Sequence, residues 1–224
     1  MRKKNRKILG VGTNDLDYEI FRTEKDAEGK VVGTWLDPCY HVWSCLLGRL
    51  YSKRKTRMRN YSDCTLYNDW YLLSNFHGWF YANWIKGWYL DKDILIKGNR
   101  EYGPDTCRFI PDYLNTLLTD CAAARGEWPI GVYKINDPTR KIIKRFMSRC
   151  CDATIGKRLF LGTFNTPEEA HKAWQKEKIN QINKAIDRFR NEPVGYRKDI
   201  EEALLSRIEA IDDDMINNRE TFKL

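Results

Sequence analysis

The sequence predicts an α+β fold in which short strands and amphipathic helices follow one another along 224 residues. Short runs that alternate apolar and polar residues between glycine-rich turns indicate strands. Longer runs with apolar residues three and four positions apart indicate helices. We therefore expect a strand–strand–helix unit among aromatic-rich helices, then a small domain of a three-stranded sheet plus a helix, and finally a helical tail.

The first 52 residues predict a β-hairpin followed by a helix. Residues 18–22 and 31–35 are expected to form the two strands, joined by a turn around Gly29. Asp37 is expected to cap the helix, with Pro38 in its first turn. The buried face of this helix would carry Tyr40, Trp43, Leu46, Leu47 and Leu50.

A short strand and two more helices are expected outside that segment. Residues 64–67 predict the strand, and Asn68 or Asp69 is expected to cap the helix that follows it. Residues 200–216 predict a final amphipathic helix with the acidic run 212–214 near its C-terminal end. Negative charge there opposes the helix dipole, so this end is expected to fray or to meet a partner. The apolar face of the earlier helix would carry Trp70, Leu73, Phe76, Trp79 and Phe80.

The charge balance favours a polyanionic partner. The chain carries a net charge of +8. Residues 1–60 and 126–190 each carry +7, whereas residues 61–125 carry −2 and residues 191–224 carry −4. Two basic blocks therefore flank a slightly acidic centre, which suits a protein that binds DNA.

Cysteine spacing and hydropathy exclude several other classes. The seven cysteines are odd in number and contain no C-x-x-C pair, so neither a zinc ribbon nor a disulfide framework is expected. No apolar run reaches the length of a membrane span. The basic N-terminus is not followed by the apolar core of a signal peptide. A reduced intracellular protein is the simplest interpretation.

Residues 53–59 contain five cations. Such a run is either a solvated surface turn or a contact to the phosphate backbone, and we favour the contact because dense cations release condensed counterions on binding. The basic segment 1–7 is equally consistent with a phosphate-contacting arm and with a solubilising tail. The candidate DNA contacts in the run are Lys53, Arg54, Lys55, Arg57 and Arg59.

The central segment predicts strand, turn, strand and short helix. Residues 87–95 suit the first strand, Gly98 and Asn99 the turn, and the residues up to Pro111 the second strand, before a helical run containing Asn115. This order resembles the ββα-metal finger of HNH-type nucleases. The resemblance implies a general base at the end of the first strand and a divalent metal, Mg²⁺ or another, that stabilises charge on the reacting phosphate.

The same resemblance assigns roles to individual residues. Asp91 falls at a metal-ligand position and Asn115 at the metal ligand on the helix. Lys92 stands where the family has its base histidine, and Thr106 where it has the asparagine that pins the loop. A lysine acts as a base only where its charge is disfavoured, and the neighbouring Asp91 and Asp93 favour the charge. Lys92 is thus a candidate base or a candidate phosphate-binding cation, and whether the chain is an enzyme stays open.

The residues alone support a simpler interpretation of this site. Two carboxylates flanking a lysine at a strand end are more typical of a solvated salt-bridge cluster. His41 and His77 lie on predicted aromatic helices, so each is expected to be structural and not a displaced base. His171 is expected to lie on a later helix, away from any cleavage chemistry.

A longer string is more specific than either carboxylate. It runs D-K-D-I-L from Asp91 and K-G-N from Lys97, and continues through residues 102–109. It strongly resembles bacteriophage proteins described as HNH endonucleases or DNA-binding proteins, with similarity from Gly10 to about Lys184. This resemblance implies a viral protein from a phage, a homing-endonuclease ancestry and a place in the cytoplasm of the infected bacterial host.

A second motif follows the central segment. Residues 130–135, 141–150 and 157–162 predict three strands, and Thr166 and Pro167 begin a helix whose first turn contains acidic residues. The motif resembles an Apetala-type DNA-binding domain, which implies a sheet lying in the major groove of DNA. The alternative is a generic sheet-plus-helix module with a solvated basic face.

Outward-facing side chains of this sheet are the second set of candidate DNA contacts. Arginine can bind guanine with two hydrogen bonds, whereas lysine mostly contacts phosphate. The second strand does not alternate cleanly, so it stays open which of Lys144 and Arg145 faces outward. The candidates are Tyr133, Lys141, Lys144, Arg145, Arg149, Lys157 and Arg158.

These observations predict four segments and three classes of function. The segments are an arm and hairpin (1–35), an HNH-like ββα domain (36–122), an Apetala-like domain (126–190) and a C-terminal amphipathic helix (191–224). The first class is a double-stranded DNA-binding protein of HNH descent that nicks or cleaves DNA with a divalent metal. The second is a catalytically inactive DNA-binding regulator. The third is a protein inhibitor of a host factor that uses the acidic run.

Overall fold

The computed structural model describes residues 6–52, 61, 63–119, 126–135 and 145–224, and in these ranges it confirms the predicted α+β class. The chain divides into two compact units, Met1–Lys86 with Leu90–Phe109 and Gly87–Tyr89 with Ile110–Leu224. The predicted contacts at residues 53–59, Lys141 and Lys144 lie outside the described residues.

The first unit combines two α-helices with short paired strands. Its elements are β1 (Arg6–Ile8), β2 (Gly12–Asn14), β3 (Phe21–Lys25), β4 (Val31–Leu36), α1 (Pro38–Tyr51), β5 (Thr65–Leu66), a 3-10 helix (Asn68–Tyr71), α2 (Leu73–Asn83), β6 (Tyr89–Asp91), β7 (Glu101–Tyr102) and β8 (Arg108–Ile110). β1 pairs antiparallel with β2, and β3 with β4. β5 pairs in parallel with β7, and β6 forms a two-stranded sheet with β8.

The predicted hairpin is confirmed, but its first strand starts three residues later than expected. Phe21 pairs with Leu36 and is followed by four more paired residues. The residues before it have another role, because Tyr18 donates its hydroxyl hydrogen bond to Asp37 and the Asp37 N–H donates to Ile20 O at 2.9 Å. The segment leading into the hairpin is thus tied to the start of α1.

Asp37 is the buried centre of these contacts. Its Oδ1 accepts hydrogen bonds from the Tyr40 N–H at 2.7 Å and the Tyr18 hydroxyl at 2.8 Å, and its Oδ2 accepts from the Tyr81 hydroxyl at 2.9 Å. The Tyr40 bond is the predicted helix cap. Burial and the neighbouring carboxylate raise the pKa of Tyr81 to about 12, so the phenol stays a donor. One side chain therefore joins α1, α2 and the segment before β3.

Aromatic side chains fill the core of the first unit, as the helical spacing predicts. Trp43 is fully buried and its Nε1 donates to Trp70 O at 2.7 Å. The Trp70 ring meets Phe76 edge-on, with centroids 5.0 Å apart. Trp79 stacks on Phe109 of β8. The same core contains Leu46, Leu47, Leu73 and Phe80, all buried.

The predicted cap of the second helix is wrong. Asn68 and Asp69 belong to a separate 3-10 turn, and α2 begins only at Leu73. Asp15 supplies the missing acceptor from across the unit: its Oδ1 accepts the Ser74 N–H at 2.9 Å and its Oδ2 accepts the Ser74 hydroxyl at 2.5 Å. A carboxylate at a helix N-terminus is favourable because the N–H groups there lack partners within the helix.

The second unit is a three-stranded antiparallel sheet with helices on one side. Its elements are α3 (Asp112–Leu117), β9 (Val132–Lys134), β10 (Phe146–Cys151), β11 (Arg158–Phe164), α4 (Pro167–Arg190) and α5 (Lys198–Ile216). β10 lies between β9 and β11. α4 packs on the sheet and α5 packs on α4. The predicted order of three strands, a helix and a final helix is confirmed within the described residues.

The N-terminus of α4 is capped as the sequence predicts. The Thr166 hydroxyl accepts the Glu169 N–H at 3.2 Å, and Glu169 Oε2 accepts the Asn165 N–H at 3.1 Å. The pair differs from a capping box in that the Glu169 side chain accepts from the residue before the cap, and both bonds satisfy N–H groups at the start of the helix. Ala170, Trp174 and Ile182 are buried on the packed face.

The acidic end of α5 has partners within the chain. Arg219 forms ion pairs with Asp213 and Asp214, and the Thr221 hydroxyl donates to Asp214 Oδ2 at 3.0 Å. The Thr221 N–H donates to Nε2 of the buried His171 at 3.0 Å, and His171 Nδ1 lies 2.9 Å from Ile130 O. The residues after α5 are therefore held against α4 by hydrogen bonds and are not frayed.

We predict that Asp37→Ala lowers the free energy of unfolding by about 3 kcal/mol, because it removes a helix cap and leaves two tyrosine hydroxyls without their acceptor. Tyr18→Phe and Tyr81→Phe each remove one hydrogen bond and should cost about 1 kcal/mol. Urea denaturation of the three variants measures this ranking. Equal losses for all three would contradict the central role of Asp37.

We also predict that Gly131→Ala destabilises the second unit. Gly131 has φ +80°, and a Cβ there would overlap the Trp174 ring. Gly156 is the matched control, because its φ is +66° and nothing lies within 4 Å of the Cβ position. Gly156→Ala should show only backbone strain, about 1 kcal/mol, and Gly131→Ala at least about 3 kcal/mol. Thermal unfolding followed by tryptophan fluorescence compares the two, and equal losses would count against the contact.

Candidate nucleic-acid interface

The register of the sheet defines which side chains face away from α4. In β10 the side chains of Ser148 and Cys150 are buried, so Met147, Arg149 and Cys151 point to the opposite side. Antiparallel partners share a face, which assigns the matching residues of β9 and β11. This outer sheet face consists of Tyr133, Met147, Arg149, Cys151, Arg158, Phe160 and Thr163.

Two arginines and two aromatic rings lie on the outer sheet face. Arg149 is exposed, and its guanidinium carbon lies 6.0 Å from the centroid of the Tyr133 ring. Phe160 pairs with Arg149 across the strands and is 62% exposed. Arg158 is also exposed. The face, as defined by its seven residues, contains no carboxylate, so it offers positive charge and aromatic surface together.

A β-bulge in β11 keeps these residues on the outer side. Ser148 pairs with Gly162 and Arg149 with Phe160, so Leu161 is an extra residue. Leu161 packs on the core formed by Ile130, Cys150 and Trp174. The bulge lets Leu161 face the core while Phe160 faces out, and bulges increase the twist of the strand pair.

The turn between β10 and β11 is fixed by side-chain hydrogen bonds. Asp152 Oδ1 accepts the Thr154 N–H at 2.7 Å and the Ile155 N–H at 3.2 Å. The hydrogen bond from the Thr154 side chain is the main cause of a lowered pKa at Asp152. Gln181 of α4 accepts the Ala153 N–H at 2.8 Å. The exposed Lys157 follows this turn, next to Arg158.

The structure also answers which way Arg145 points. Arg145 O accepts the Ile135 N–H at 2.8 Å, so the pairing with the first strand of the sheet extends to this residue. Arg145 is exposed and lies an even number of residues from Met147 and Arg149, so it continues the outer sheet face. Lys144, its alternative, lies outside the described residues.

Asp91, the proposed metal ligand, is engaged by the backbone that follows it. Its Oδ1 accepts the Asp93 N–H at 2.8 Å and the Ile94 N–H at 2.6 Å. Burial raises the pKa of the Asp91 carboxyl above its usual range, while these two N–H groups act in the opposite direction. With these contacts the Asp91 side chain stabilises a turn of the backbone at the end of β6.

Lys92 is buried and fully engaged. Its Nζ lies 2.6 Å from Asp93 Oδ2 and donates to Asn99 O at 2.7 Å, and it lies 5.8 Å from the centroid of the Tyr102 ring. The expected salt bridge is therefore present, but its lysine is not solvated, with 6% of the residue exposed. The Lys92 amine is thus enclosed by a carboxylate, a carbonyl and an aromatic face, which are the contacts of a structural ion pair.

Asn99 pins the loop after β6, a role that the resemblance to HNH-type nucleases gave to the position of Thr106. Asn99 Nδ2 donates to Lys92 O at 2.9 Å and to Glu101 O at 2.6 Å, and Asn99 Oδ1 accepts the Glu101 N–H. Thr106 holds the other end, where its hydroxyl donates to Glu101 O at 2.8 Å and accepts the Gly103 N–H. The Gly98-Asn99 pair was the sequence signal for this turn.

Asn115 lies exposed on α3, in the second unit, whereas Asp91 belongs to the first. Among the residues that the structure describes, no three His, Cys, Asp or Glu side chains are grouped so that they could hold a metal ion. A divalent metal bound by Asp91 and Asn115 stays a prediction.

His77 and two buried thiols lie in packed environments, whereas His41 is exposed, with its Nε2 4.0 Å from Cys45 Sγ. His77 meets Tyr18 edge-on and packs against Tyr81, with centroids 5.7 and 4.7 Å away. Burial raises the pKa of Cys107 to about 12 and of Cys150 to about 11, which keeps both thiols protonated and unreactive at neutral pH. No described helix is long and apolar enough to cross a membrane.

We predict that Lys92→Ala lowers the free energy of unfolding by about 2 kcal/mol, because Asp93 and Asn99 O lose their shared donor. Lys86→Ala is the matched control, since Lys86 is exposed, and it should change stability by less than about 0.5 kcal/mol. Denaturant unfolding checks both values. A Lys92→Ala protein as stable as the Lys86→Ala protein would remove the structural role.

The comparisons with known proteins give no family. No family model, no curated protein and no solved structure matches this chain.

Proposed function

We propose that the chain binds double-stranded DNA through the outer sheet face. The observation that carries this proposal is the presence of exposed Arg149, Arg158 and Phe160 on one side of a twisted three-stranded sheet, on a face without carboxylates. A β-sheet can enter the major groove, where arginine binds guanine with two hydrogen bonds and an apolar side chain contacts the thymine methyl group.

The charge of the surrounding sequence supports the same partner. Residues 126–190 carry a net charge of +7. Arg145, before the central strand β10, and Lys157, before the edge strand β11, are both exposed at strand ends, where a side chain can contact the phosphate backbone on either side of a groove. Binding of this kind releases counterions, so the affinity should fall steeply with salt.

The resemblance to Apetala-type domains is a further support. Three antiparallel strands followed by a helix capped at Thr166 is the order that the resemblance implies. Of the candidates it selects, Tyr133, Arg149 and Arg158 lie on the outer sheet face, and Arg145 and Lys157 lie next to it. A phage protein of this type would act on DNA in the cytoplasm of the infected bacterial host.

The contacts of Lys92 favour a DNA-binding regulator over an HNH nuclease. A nuclease of this class needs a group that accepts a proton from water, and Lys92 Nζ is buried and already bonded to Asp93 and Asn99 O. Asp91 would have to bind Mg²⁺ with a carboxylate whose Oδ1 already accepts two backbone N–H groups. A metal bound by Asp91 and Asn115 would supply charge stabilisation at the phosphate, and this nuclease class has its own test below.

The third class, a protein inhibitor acting through residues 212–214, is less favoured. Asp213 and Asp214 both form ion pairs with Arg219, and Asp214 also accepts the Thr221 hydroxyl. An acidic surface that mimics DNA would need those carboxylates unpaired.

We predict that Arg149→Ala weakens binding to a duplex selected from a randomised DNA library by about 10- to 100-fold, as expected for the loss of one base-reading arginine. Lys157→Ala should lower affinity for all duplexes alike and reduce the slope of log affinity against log salt by about 1. Lys198→Ala on α5 removes the same charge from another surface, where the side chain is exposed, and should bind like the unmodified protein. Fluorescence anisotropy over a salt series measures all three. An Arg149→Ala protein that binds like Lys198→Ala would overturn the assignment of the face.

A plasmid assay separates the binding and nuclease classes. Supercoiled DNA is incubated with the protein and Mg²⁺ or Mn²⁺, against EDTA, and with the Asp91→Ala and Asn115→Ala variants. We expect a salt-sensitive gel shift without nicking. Metal-dependent nicking that both variants abolish would instead establish a working nuclease.

A further inference from the structure

His171 of α4 is buried, and both of its ring nitrogens face backbone groups. The residue is 4% exposed, and its ring stacks on Trp174 with centroids 5.3 Å apart. Its Nδ1 lies 2.9 Å from Ile130 O, and its Nε2 lies 3.0 Å from the backbone nitrogen of Thr221. A carbonyl oxygen only accepts hydrogen bonds, and a backbone N–H only donates them. Nδ1 must therefore carry the ring hydrogen and Nε2 must be bare, so the imidazole is neutral in this arrangement.

The bond to Nε2 holds the segment that follows α5, residues 217–224. Thr221 is 1% exposed and is the buried residue of a segment that is otherwise exposed or half-buried. Gln175, one turn along α4 from His171, donates from Nε2 to Thr221 Oγ1 at 3.1 Å and to Arg219 O at 3.0 Å. The contacts of this segment with α4 thus centre on Thr221.

The charged groups on the surrounding elements are engaged or exposed to water. Asp214 of α5 accepts the Thr221 hydroxyl at 3.0 Å and is ion-paired with Arg219. Lys172, next to His171, has the same sign of charge as an imidazolium. Asp214 is therefore already engaged while the segment stays in place. The other charged side chains of these elements, all exposed except the half-buried last one, are Glu127 before β9, Glu168 and Glu169 of α4, Asp213 of α5 and Glu220.

A second ring proton is incompatible with these contacts. It would lie on Nε2 and point at the Thr221 N–H, so that two donors would face one another. An imidazolium buried in this way is unfavourable. An imidazole in an unfolded chain gains its proton near about pH 6.5. The contact is therefore fully stable above that pH and loses stability as pH falls through it, because the proton is bound more readily once the contact has opened.

We propose that His171 is a pH-sensitive switch that holds residues 217–224 against α4 when its imidazole is neutral and releases them when Nε2 binds a proton. One proton is taken up from solvent, the hydrogen bond from Thr221 to Nε2 breaks, and no covalent bond changes. Release also withdraws Leu224 from the apolar core around Trp174. The switch goes beyond DNA binding and does not rest on it, because these contacts lie on the side of the sheet that faces α4.

Amide hydrogen exchange followed by NMR tests the switch, with each rate corrected for that of an unfolded chain at the same pH. Between about pH 7.5 and about pH 5.5 the protection of the Thr221 N–H should fall at least about 10-fold, because the lower value is one pH unit below that of an ordinary imidazole. The N–H of Ile182, a buried residue within α4, should keep its protection.

Two glutamine variants identify the histidine that is responsible. His171→Gln keeps an acceptor oxygen but has no titratable ring, so the protection of Thr221 should change by less than about 2-fold over the same pH range. His41→Gln is the matched control, because His41 is exposed, and it should retain the full loss. A loss in His171→Gln equal to that in the unmodified protein would overturn the proposal, as would no loss in the unmodified protein. A parallel loss at Ile182 would also overturn it, since the whole unit would then be unfolding.

The ring nitrogens of the unmodified protein provide a test that needs no variant. Nitrogen NMR at about pH 7.5 should show His171 protonated at Nδ1 and bare at Nε2, and the opposite tautomer would contradict the switch. If His171→Gln fails to fold, the pH at which the His171 ring gains its proton must coincide with the pH at which Thr221 loses protection. Two separate midpoints would show that another group releases the segment.

Discussion

The contact between Trp174 and the sheet is the constraint on which the candidate interface depends. Trp174 is buried against Ile130 and Cys150, and Gly131 passes so close to its ring that a side chain there would collide with it. This contact commits one side of β10 to the core. Because strand side chains alternate, the other side must face solvent, and Arg149 lies on that side. The orientation of the surface arginine is thus a consequence of apolar packing beneath it.

The central loop shows a candidate catalytic residue held in structural contacts. Lys92 follows Asp91 where a nuclease of the resembling family would place its base, yet its ammonium is enclosed by Asp93, Asn99 and Tyr102. Burying a lysine unpaired is unfavourable, whereas burying it with these partners allows it to fix the loop between β6 and β7. The loop that Asn99 closes has the geometry of a structural turn.

Local signals in the sequence predicted local structure well. Short-range signals specified the starts of two helices, because a helix cap involves neighbours three or four residues away. These signals were Asp37 with Pro38 for α1, and Thr166 with Pro167 and Glu169 for α4. The cap of α2 could not be found in this way, since Asp15 lies 59 residues from Ser74.

The candidate interface was predicted only in part for the same reason. The basic residues of the sheet were identified from composition and motif, but the apolar and basic residues around Phe146 do not alternate, so no pattern gave the orientation of Arg145. The burial of Ser148 and Cys150 against α4 and the bulge at Leu161 decide that orientation, and both depend on contacts distant in sequence. The exposed Phe160 was missed because it lies within a strand that reads as apolar core.

The position of Arg149 over the Tyr133 ring has a consequence for the thermodynamics of association. A free arginine side chain samples many rotamers, and ordering it in a complex opposes binding by about 0.5–1.5 kcal/mol. A guanidinium already resting on an aromatic face has fewer rotamers to lose. The stem of Arg149 is thereby partly ordered before any ligand arrives, which lowers the entropic penalty of recognition while its donor groups remain directed to solvent.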